Sequence, residues 1–347
     1  MIRRLTLSFS IVFLWIVLCF GNTAQPGIRT AGGMAGFNLL FPEDSSAFQK
    51  IQMVKESIDI LLYPGFAVVK GTYWMANSTE DTITIKTGYP INAFFSSTKN
   101  ASDLTEIYFD KLFELRVSVG GDPVTYEKKV FQSDDSRIAS LTYEVGPQWY
   151  IWTTRFSPGE TKIEVYFIVN TNDSSVREGY NSASPNGFIY ILETGASWKP
   201  PIGEGVIRIK LKDSLTPEQI KGVSPDSVLK YSVANDYFFY EFKDLIPDHE
   251  DNLVITYSQR LKEFDFERVT KNSNNYFNQL DEFSNVPFDP NGTIKIFPSP
   301  FEVSGSGNFF VGLIMFVAVY GLPILGIIFA GLIIFWFLRR RKESINS

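Results

Sequence analysis

The residues that could perform acid–base or metal chemistry are few. The 347-residue chain contains one histidine, His249, and one cysteine, Cys19. His249 lies in an acidic turn at residues 246–252, with three carboxylates within two positions. Neighbouring carboxylates favour the charged imidazolium, so the turn predicts a structural or solvated histidine rather than a general base. A single histidine also rules out a multi-histidine zinc site, and we expect no cofactor or metal.

Paired carboxylates leave one route to catalysis, because glycosidases need only two acids facing one cleft. The candidate pairs are Asp134 with Asp135, Asp265 with Glu267, and Asp281 with Glu282. Adjacent acids in loops are more often simply solvated. Phosphate-binding loops, dinucleotide fingerprints and nucleophile-elbow motifs do not occur in the sequence. The sequence therefore narrows the chemistry to binding or to carboxylate-based hydrolysis, without choosing a catalytic residue.

Aromatic residues are the remaining candidates for ligand contact. Trp149, Trp152 and Trp198 could anchor a sugar or a protein, because aromatic faces give large contact areas. The alternative, which is the commoner role, is that they fill the core of a β-sandwich. Strand alternation places Trp149 and Trp152 on opposite faces, so one of them needs an outer face or a covering loop.

The two ends of the chain predict its topology. Residues 1–24 begin with two arginines, continue through an apolar run and end on small or polar residues, which is the order of a secretory signal peptide. An uncleaved anchor is the alternative. Residues 309–338 carry no charge and precede the basic residues 339–342, which predicts a transmembrane helix and a cytoplasmic tail at 339–347. Gly326 and Ala330 form a small-xxx-small pair that could pack against another helix.

The part between these ends is acidic. Residues 25–308 contain 26 basic and 37 acidic side chains, a net charge of −11. This charge argues against nucleic-acid binding, which needs clustered lysine and arginine. Cleavage of the signal would leave no cysteine and therefore no disulfide, which favours a bacterial envelope protein over a small animal secreted domain. The expected partners are the lipid bilayer, through the C-terminal helix, and a membrane or surface protein.

Period-2 alternation dominates the acidic part and predicts a mainly β fold. We expect two antiparallel sandwich-like units outside the membrane, followed by one C-terminal transmembrane helix. The first unit is 25–172, the second is 188–257, and 258–308 is a stalk with one short helix near 276–283. The predicted strands are 56–63, 66–76, 82–89, 112–119, 124–129, 139–145, 149–156, 161–170, 188–193, 205–211, 237–242 and 252–257. Gly120, Gly121 and Asp122 predict a hairpin turn. Within the two β units, the helix candidates are 46–55 and 217–221.

Several turns carry polar residues that could accept a glycan or bind calcium. Asn77, Asn100, Asn172 and Asn291 begin Asn-x-Ser/Thr acceptors, which matter only if the host glycosylates them. Residues 170–173 and 288–292 offer oxygen ligands for calcium, but neither has the spaced acids of an EF-hand loop. Ordinary turn chemistry explains these residues equally well.

Two stretches resemble a known group of proteins. They are 188–203, with the text FIYILETGASWKPPIG, and 152–167, which contains Phe156-Ser-Pro-Gly-Glu160. Both are similar to exported, membrane-anchored β-rich envelope proteins of bacteria that carry a domain of unknown function. The resemblance implies a structural or binding role and brings no catalytic residues. We therefore expect binding at the cell surface or in envelope assembly, with a carboxylate-based envelope hydrolase such as a glycosidase as the alternative.

Overall fold

The computed structural model of the chain describes residues 45–91, 93–96, 106–109, 112–130, 148–172, 174–177, 185–248, 251–298, 314 and 316–345. The chain divides into two compact units, Met1–Phe301 and Glu302–Ser347. The first is built mainly from strands and the second contains one long apolar helix, so the predicted fold class is confirmed. The predicted signal peptide, the strand at 139–145, His249, Asn100 and Asp134–Asp135 lie outside the described residues.

Eighteen strands occur among the described residues of the first unit. In chain order they are β1 (Ile51–Tyr63), β2 (Phe66–Asn77), β3 (Ile83–Pro90), β4 (Ala93–Ser96), β5 (Glu106–Phe109), β6 (Leu112–Val119), β7 (Asp122–Pro123), β8 (Glu127–Val130), β9 (Gln148–Phe156), β10 (Gly159–Asn170), β11 (Ser175–Arg177), β12 (Pro185–Tyr190), β13 (Ile202–Leu211), β14 (Ile220–Ser224), β15 (Lys230–Ser232), β16 (Tyr237–Leu245), β17 (Leu253–Gln259) and β18 (Ile294–Lys295).

Half of these strands form one large sheet, the main sheet, in the order β18-β15-β16-β13-β1-β2-β10-β6-β7. Three smaller sheets accompany it, which we name after their central strands: the β9 sheet (β3-β9-β8), the β17 sheet (β12-β17-β14) and the β5 sheet (β11-β5-β4). β1 pairs with β2 antiparallel and with β13 parallel. Because β1 and β13 come from the two predicted sandwich units, the predicted boundary at 172–188 does not separate two sheets.

Of three local predictions, the hairpin turn is correct and the two helices are not. The hairpin is confirmed, since Val119 pairs with Asp122 across Gly120 and Gly121, whose φ angles are 62° and 93°. The predicted helix 46–55 is wrong beyond the short helix α1 (Ser45–Phe48), because residues from Ile51 onward pair with β2. The predicted helix 217–221 is a 3-10 turn, Pro217–Gln219, followed directly by β14. In both places strand pairing overrides a local helix preference.

The main sheet has a hydrophobic core on each face. On its sheet-covered face, Glu56, Ile58, Ile60 and Leu62 of β1 point towards residues of the β9 and β17 sheets. On its helix-covered face, Leu61 and Tyr63 of β1 pack with two helices, α2 (Phe266–Lys271) and α3 (Ser273–Ser284). Alternation along β1 therefore sends side chains into two different cores.

The helices of the helix-covered face come from the segment predicted as a stalk. The helix predicted near 276–283 is confirmed and is longer, spanning Ser273–Ser284. Phe277, Leu280 and Phe283 recur at helical spacing and are buried, so they form one apolar stripe against the sheet. The described part of the predicted stalk, up to residue 298, thus packs on the β unit instead of extending away from it.

The C-terminal unit contains one helix that is long and apolar enough to cross a membrane, at Val319–Trp336. It begins with a π-helical turn, Val317–Gly321, and continues as α4 (Leu322–Ile345), through the basic residues of the predicted tail. Proline has no backbone N–H and cannot complete the helical hydrogen-bond pattern, which gives the widened turn before Pro323 a direct cause. Gly326 and Ala330 are both exposed on this helix, one turn apart.

Candidate functional site

The three predicted ligand-contact tryptophans lie in the core of the sheet-covered face. Trp149, Trp152 and Trp198 are 4%, 3% and 1% exposed. Trp198 packs against Phe48 and Phe156, with ring centroids 4.7 and 5.9 Å away. None of the three therefore offers a surface to a ligand in this structure, and the core-filling alternative describes them. The indole Nε1 atoms of Trp152 and Trp198 have no hydrogen-bond partner among the described residues.

Three of the four described acids that were considered for hydrolysis have structural partners, and the fourth, Glu282, is exposed. Asp265 caps α2 by accepting a hydrogen bond from the Arg268 N–H, and Glu267 forms an exposed ion pair with Lys271. Asp281 accepts hydrogen bonds from Lys70 Nζ and Tyr166 Oη, both at 2.7 Å, and so fixes α3 to the main sheet.

The glycosylation acceptors differ in accessibility. The Asn77 amide is buried and donates to the carbonyls of Asp81 and Phe156, while the Asn172 amide is hydrogen-bonded to the backbone of Leu261. Asn291 is exposed in a turn with Asp289. Among the described acceptors, Asn291 alone has an exposed side chain. Of the oxygens considered for calcium, Asn172 Oδ1 accepts from the Leu261 N–H and Asp289 Oδ1 accepts from the Asn291 amide, while Asp173 lies outside the described residues.

A buried acid that the sequence analysis did not single out lies at the junction of three sheets. Glu56 of β1 is 3% exposed, and its Oε1 accepts a hydrogen bond of 2.9 Å from the hydroxyl of Tyr190 on β12. The Tyr190 hydroxyl is 3.0 Å from that of Tyr73 on β2, which in turn is hydrogen-bonded to Tyr89 on β3. We name these four residues the Glu56 cluster. It joins the main sheet to the β17 sheet through Tyr190 and to the β9 sheet through Tyr89.

Two glycines leave room for this cluster. Gly71 lies on β2 diagonal to Glu56, and a methyl group there would collide with the Tyr73 hydroxyl. Gly205 on β13 lies directly opposite Glu56, and the ring of Phe242 covers it so closely that a methyl group would not fit. The rings of Tyr73 and Phe242 thus occupy the space that side chains at 71 and 205 would fill.

Burial dominates the electrostatics of the cluster. Removal from water raises the pKa of Glu56 to about 7, although the hydrogen bond from Tyr190 acts in the opposite direction. Burial also raises the pKa of Tyr73, Tyr89 and Tyr190 above the usual tyrosine value, and the nearby Glu56 adds to this rise. The cluster can therefore hold or release one proton near neutrality, while its three hydroxyls stay protonated. It is sealed from solvent, so it does not offer a substrate site.

A second feature is an exposed apolar edge. β18 is the last strand of the main sheet and pairs only with β15 among the described strands. Ile294, in β18, and Ile296, just after the end of that strand, are 37% and 74% exposed. Phe297 points the other way and is buried against Tyr231 and Phe238. We name Ile294 and Ile296 the β18 edge.

Sequence reasoning missed both features for different reasons. Glu56 sits at an inward position of an alternating strand, between apolar neighbours at 58, 60 and 62, and this inward acid was the available signal. The β18 edge has no such signal, because its strand is only two residues long. Its exposure depends on how segments far away in the sequence pack around it.

Comparisons with known proteins give structural neighbours only. No protein-family model and no curated protein matches the sequence. One solved neighbour is a putative nutrient binding protein from Legionella pneumophila, with 16% identity, a TM-score of 0.38, and coverage of 60% of this chain and 66% of that one. An M1 zinc metallopeptidase from Deinococcus radiodurans is 8% identical, with a TM-score of 0.28 and coverage of 60% and 42%.

A third neighbour is the native leukotriene A4 hydrolase from Saccharomyces cerevisiae, with 9% identity, a TM-score of 0.30 and coverage of 60% and 29%. The chain thus spans slightly under two thirds of the first neighbour and less than half of the other two. Similarity at this level identifies no activity for this chain.

Proposed function

We propose that this is a single-pass membrane protein whose β unit lies outside the cytoplasm and acts by binding, in recognition at the cell surface or in envelope assembly. The observation that carries the proposal is the β18 edge. Ile294 and Ile296 are exposed in and just after a terminal strand, and among the described strands β18 pairs only with β15. Exposed apolar residues at an open sheet edge are typical of an interaction site. The resemblance to exported bacterial envelope proteins implies the same role and stays a prediction.

The proposed orientation rests on the C-terminal unit. An apolar helix that could cross a bilayer leads into Arg339, Arg340, Arg341 and Lys342. Lysine and arginine concentrate on the cytoplasmic side of membranes, so this cluster favours a cytoplasmic C-terminus. The acidic β unit would then face outwards.

The occupant that suits the β18 edge is an extended segment of a membrane or surface protein. An added strand can satisfy the open backbone groups, and its alternate apolar side chains can cover Ile294 and Ile296. Lys230 is exposed on β15 and precedes Tyr231, which pairs with Lys295 of β18, so it would favour an acid at the rim of that segment. The structural partners of Asp265, Glu267 and Asp281 favour binding over the hydrolase alternative.

Site-specific photo-crosslinking in the native membrane tests this function. A photo-reactive residue at Lys230 should give one reproducible adduct, and the double variant Ile294→Lys, Ile296→Lys should abolish it. Ile246→Lys is the matched control, because Ile246 is 64% exposed but follows the far end of β16, roughly 20 Å along that strand. An adduct that survives the double variant, or one lost equally in the control, would remove the basis for the proposal.

Orientation has a separate test. With Cys19 replaced by serine, a cysteine introduced for exposed Lys221 should react with a membrane-impermeant maleimide in intact cells. A cysteine introduced for Ser344 in the tail should react only after permeabilisation. The opposite pattern would invert the proposed topology.

A further inference from the structure

We infer that Glu56 is a proton-dependent fastener between sheets: the β9 and β17 sheets hold tightly to the main sheet while its carboxyl carries a proton, and loosen when it ionises. This role is independent of the binding function proposed above. It rests on the position of the carboxyl, at the one described point where hydroxyls from three sheets converge.

The surroundings of Glu56 suit a neutral carboxyl better than a carboxylate. A carboxylate can accept about four hydrogen bonds, but the described structure supplies one donor, Tyr190, to Oε1. Oε2 is buried and has no hydrogen-bond partner among the described residues, and no described cation forms an ion pair with Glu56. A buried charge with so few partners is costly, whereas a neutral acid carries a much smaller penalty.

The charge state also sets the direction of the hydroxyl chain. When Glu56 is protonated it can donate to Tyr190, which is then free to donate to Tyr73. When Glu56 is ionised, Tyr190 must donate to it, so Tyr73 can only donate to Tyr190. Each hydroxyl has one proton, and the loss of one proton at Glu56 therefore reverses the hydrogen bonds that cross from sheet to sheet.

The titratable groups that face the carboxyl come from three strands. They are Tyr73 on β2, Tyr190 on β12 and, behind Tyr73, Tyr89 on β3. β13 contributes Gly205, which has no side chain, and β1 itself turns Asp59 to the opposite face of the sheet. Since burial keeps the three tyrosines protonated, Glu56 is the group in this cluster whose charge changes near neutrality.

The sign of the pH dependence follows. The folded pKa of Glu56, about 7, lies above the ordinary value of 4.5. The folded state therefore holds the proton more tightly, and its advantage is complete below pH 4.5 and is lost as the pH rises through 7. Between pH 5 and pH 8, this group alone should raise the equilibrium constant for unfolding on the order of 50- to 100-fold.

The test is denaturant unfolding of the full-length protein in detergent, compared between wild type, Glu56→Gln and Glu204→Gln. Gln keeps the shape of the side chain but cannot ionise. The Glu56→Gln protein should therefore lack the rise in the equilibrium constant for unfolding that wild type shows between pH 5 and pH 8. Glu204 lies on β13 next to Gly205 with an exposed side chain, so its variant should follow wild type. An equal rise in all three proteins would overturn the inference.

Hydrogen exchange on the wild-type protein gives a test that needs no variant. After correction for the intrinsic rate, amides of β12 and β3 should exchange faster at pH 8 than at pH 5, whereas those of α3 should not change in the same way. Infrared difference spectra should show a protonated carboxyl lost over the same range and absent from Glu56→Gln. Unchanged protection of β12 and β3, or a carboxyl already ionised at pH 5, would contradict the fastener.

Discussion

The two acids that β1 buries, Glu56 and Asp59, lie on opposite faces of one sheet. Their polar partners are of different kinds. Glu56 enters the sheet-covered face, where its polar neighbours are tyrosine hydroxyls. Asp59 enters the helix-covered face, where Oδ1 accepts a hydrogen bond of 2.7 Å from Nε of Arg208 on β13. Both residues are 3–4% exposed, so burial by itself does not distinguish them.

The cover of each face explains the difference. Arg208 also donates to the carbonyls of Val286, Ser284 and Phe283 and lies over the Phe283 ring, so it links Asp59 to the C-terminal end of α3. A helix end presents unpaired carbonyls that a guanidinium can satisfy. A covering sheet has already paired its backbone and presents only side chains, here tyrosines. The element lying over a buried acid therefore decides whether the acid gains a cation or must keep its proton.

The largest effect should come from removing the charge of Asp59. We expect Asp59→Asn to lower the free energy of unfolding by about 3–5 kcal/mol, because it leaves the Arg208 guanidinium buried without its counterion. Glu56→Gln at pH 8 should not destabilise the protein, since it removes an ionised group that lacks a counterion. Denaturant unfolding of both variants at pH 8 measures the contrast. Equal losses would mean that the two faces treat their acids alike.

The next largest effect concerns Phe297, the buried residue beside the β18 edge. Phe297→Ala should cost about 3 kcal/mol, because its buried ring fills the space beside Tyr231 and Phe238. Ile296→Ala, one residue earlier and 74% exposed, should change stability by less than about 0.5 kcal/mol. Unfolding and crosslinking of the two variants together should separate a residue that holds the fold from one that we propose binds a partner.

A smaller loss is expected from filling the space beside Glu56. Gly205→Ala should cost about 2 kcal/mol, because the added methyl group displaces the Phe242 ring. Glu204→Ala, the preceding and exposed position, is the control and should stay within about 0.5 kcal/mol of wild type. If Gly205→Ala were neutral in thermal unfolding, the tight packing inferred around Glu56 would be wrong.

The smallest effect tests the partly exposed contacts of α3. Lys70→Met should cost about 1 kcal/mol, because Lys70 is only 13% exposed and pairs with Asp281, itself 44% exposed, so solvent screens part of the interaction. Lys162→Met removes a more exposed pair with Glu164 and should cost less. A loss for Lys70→Met as large as that for Asp59→Asn would show that α3 is held mainly by this contact.

Much of the fold could be read from the chain because its signals are local. Alternation predicted β2, β6, β10 and β16 to within about three residues of their ends and the second part of β1, and the glycine pair at 120–121 predicted its hairpin. The helix predicted near 276–283 spans Ser273–Ser284. Misreadings fell where tertiary pairing decides, as in the residues after Phe48, which form a strand because two neighbouring strands are available.

The site was less predictable because its members are far apart. Tyr190 is 134 positions from Glu56, and Arg208 is 149 positions from Asp59. The three tryptophans are a related case. The sequence shows that they are large aromatic residues, but not which sheets cover them, so it could not decide between ligand contact and core packing. The mainly β class and the apolar C-terminal helix were determined by the sequence alone, because period and hydrophobic length act over neighbouring residues.

Tertiary structure decided everything that depends on contacts between layers. The alternation of β1 already sends positions 56 and 59 to opposite faces, whatever lies above them. Only the packing of two small sheets on one face and α3 on the other determined that Glu56 meets hydroxyls and Asp59 meets a guanidinium. The pKa of a buried acid depends on the groups within a few ångströms of it, and those groups are brought there by the fold rather than by their neighbours in the chain.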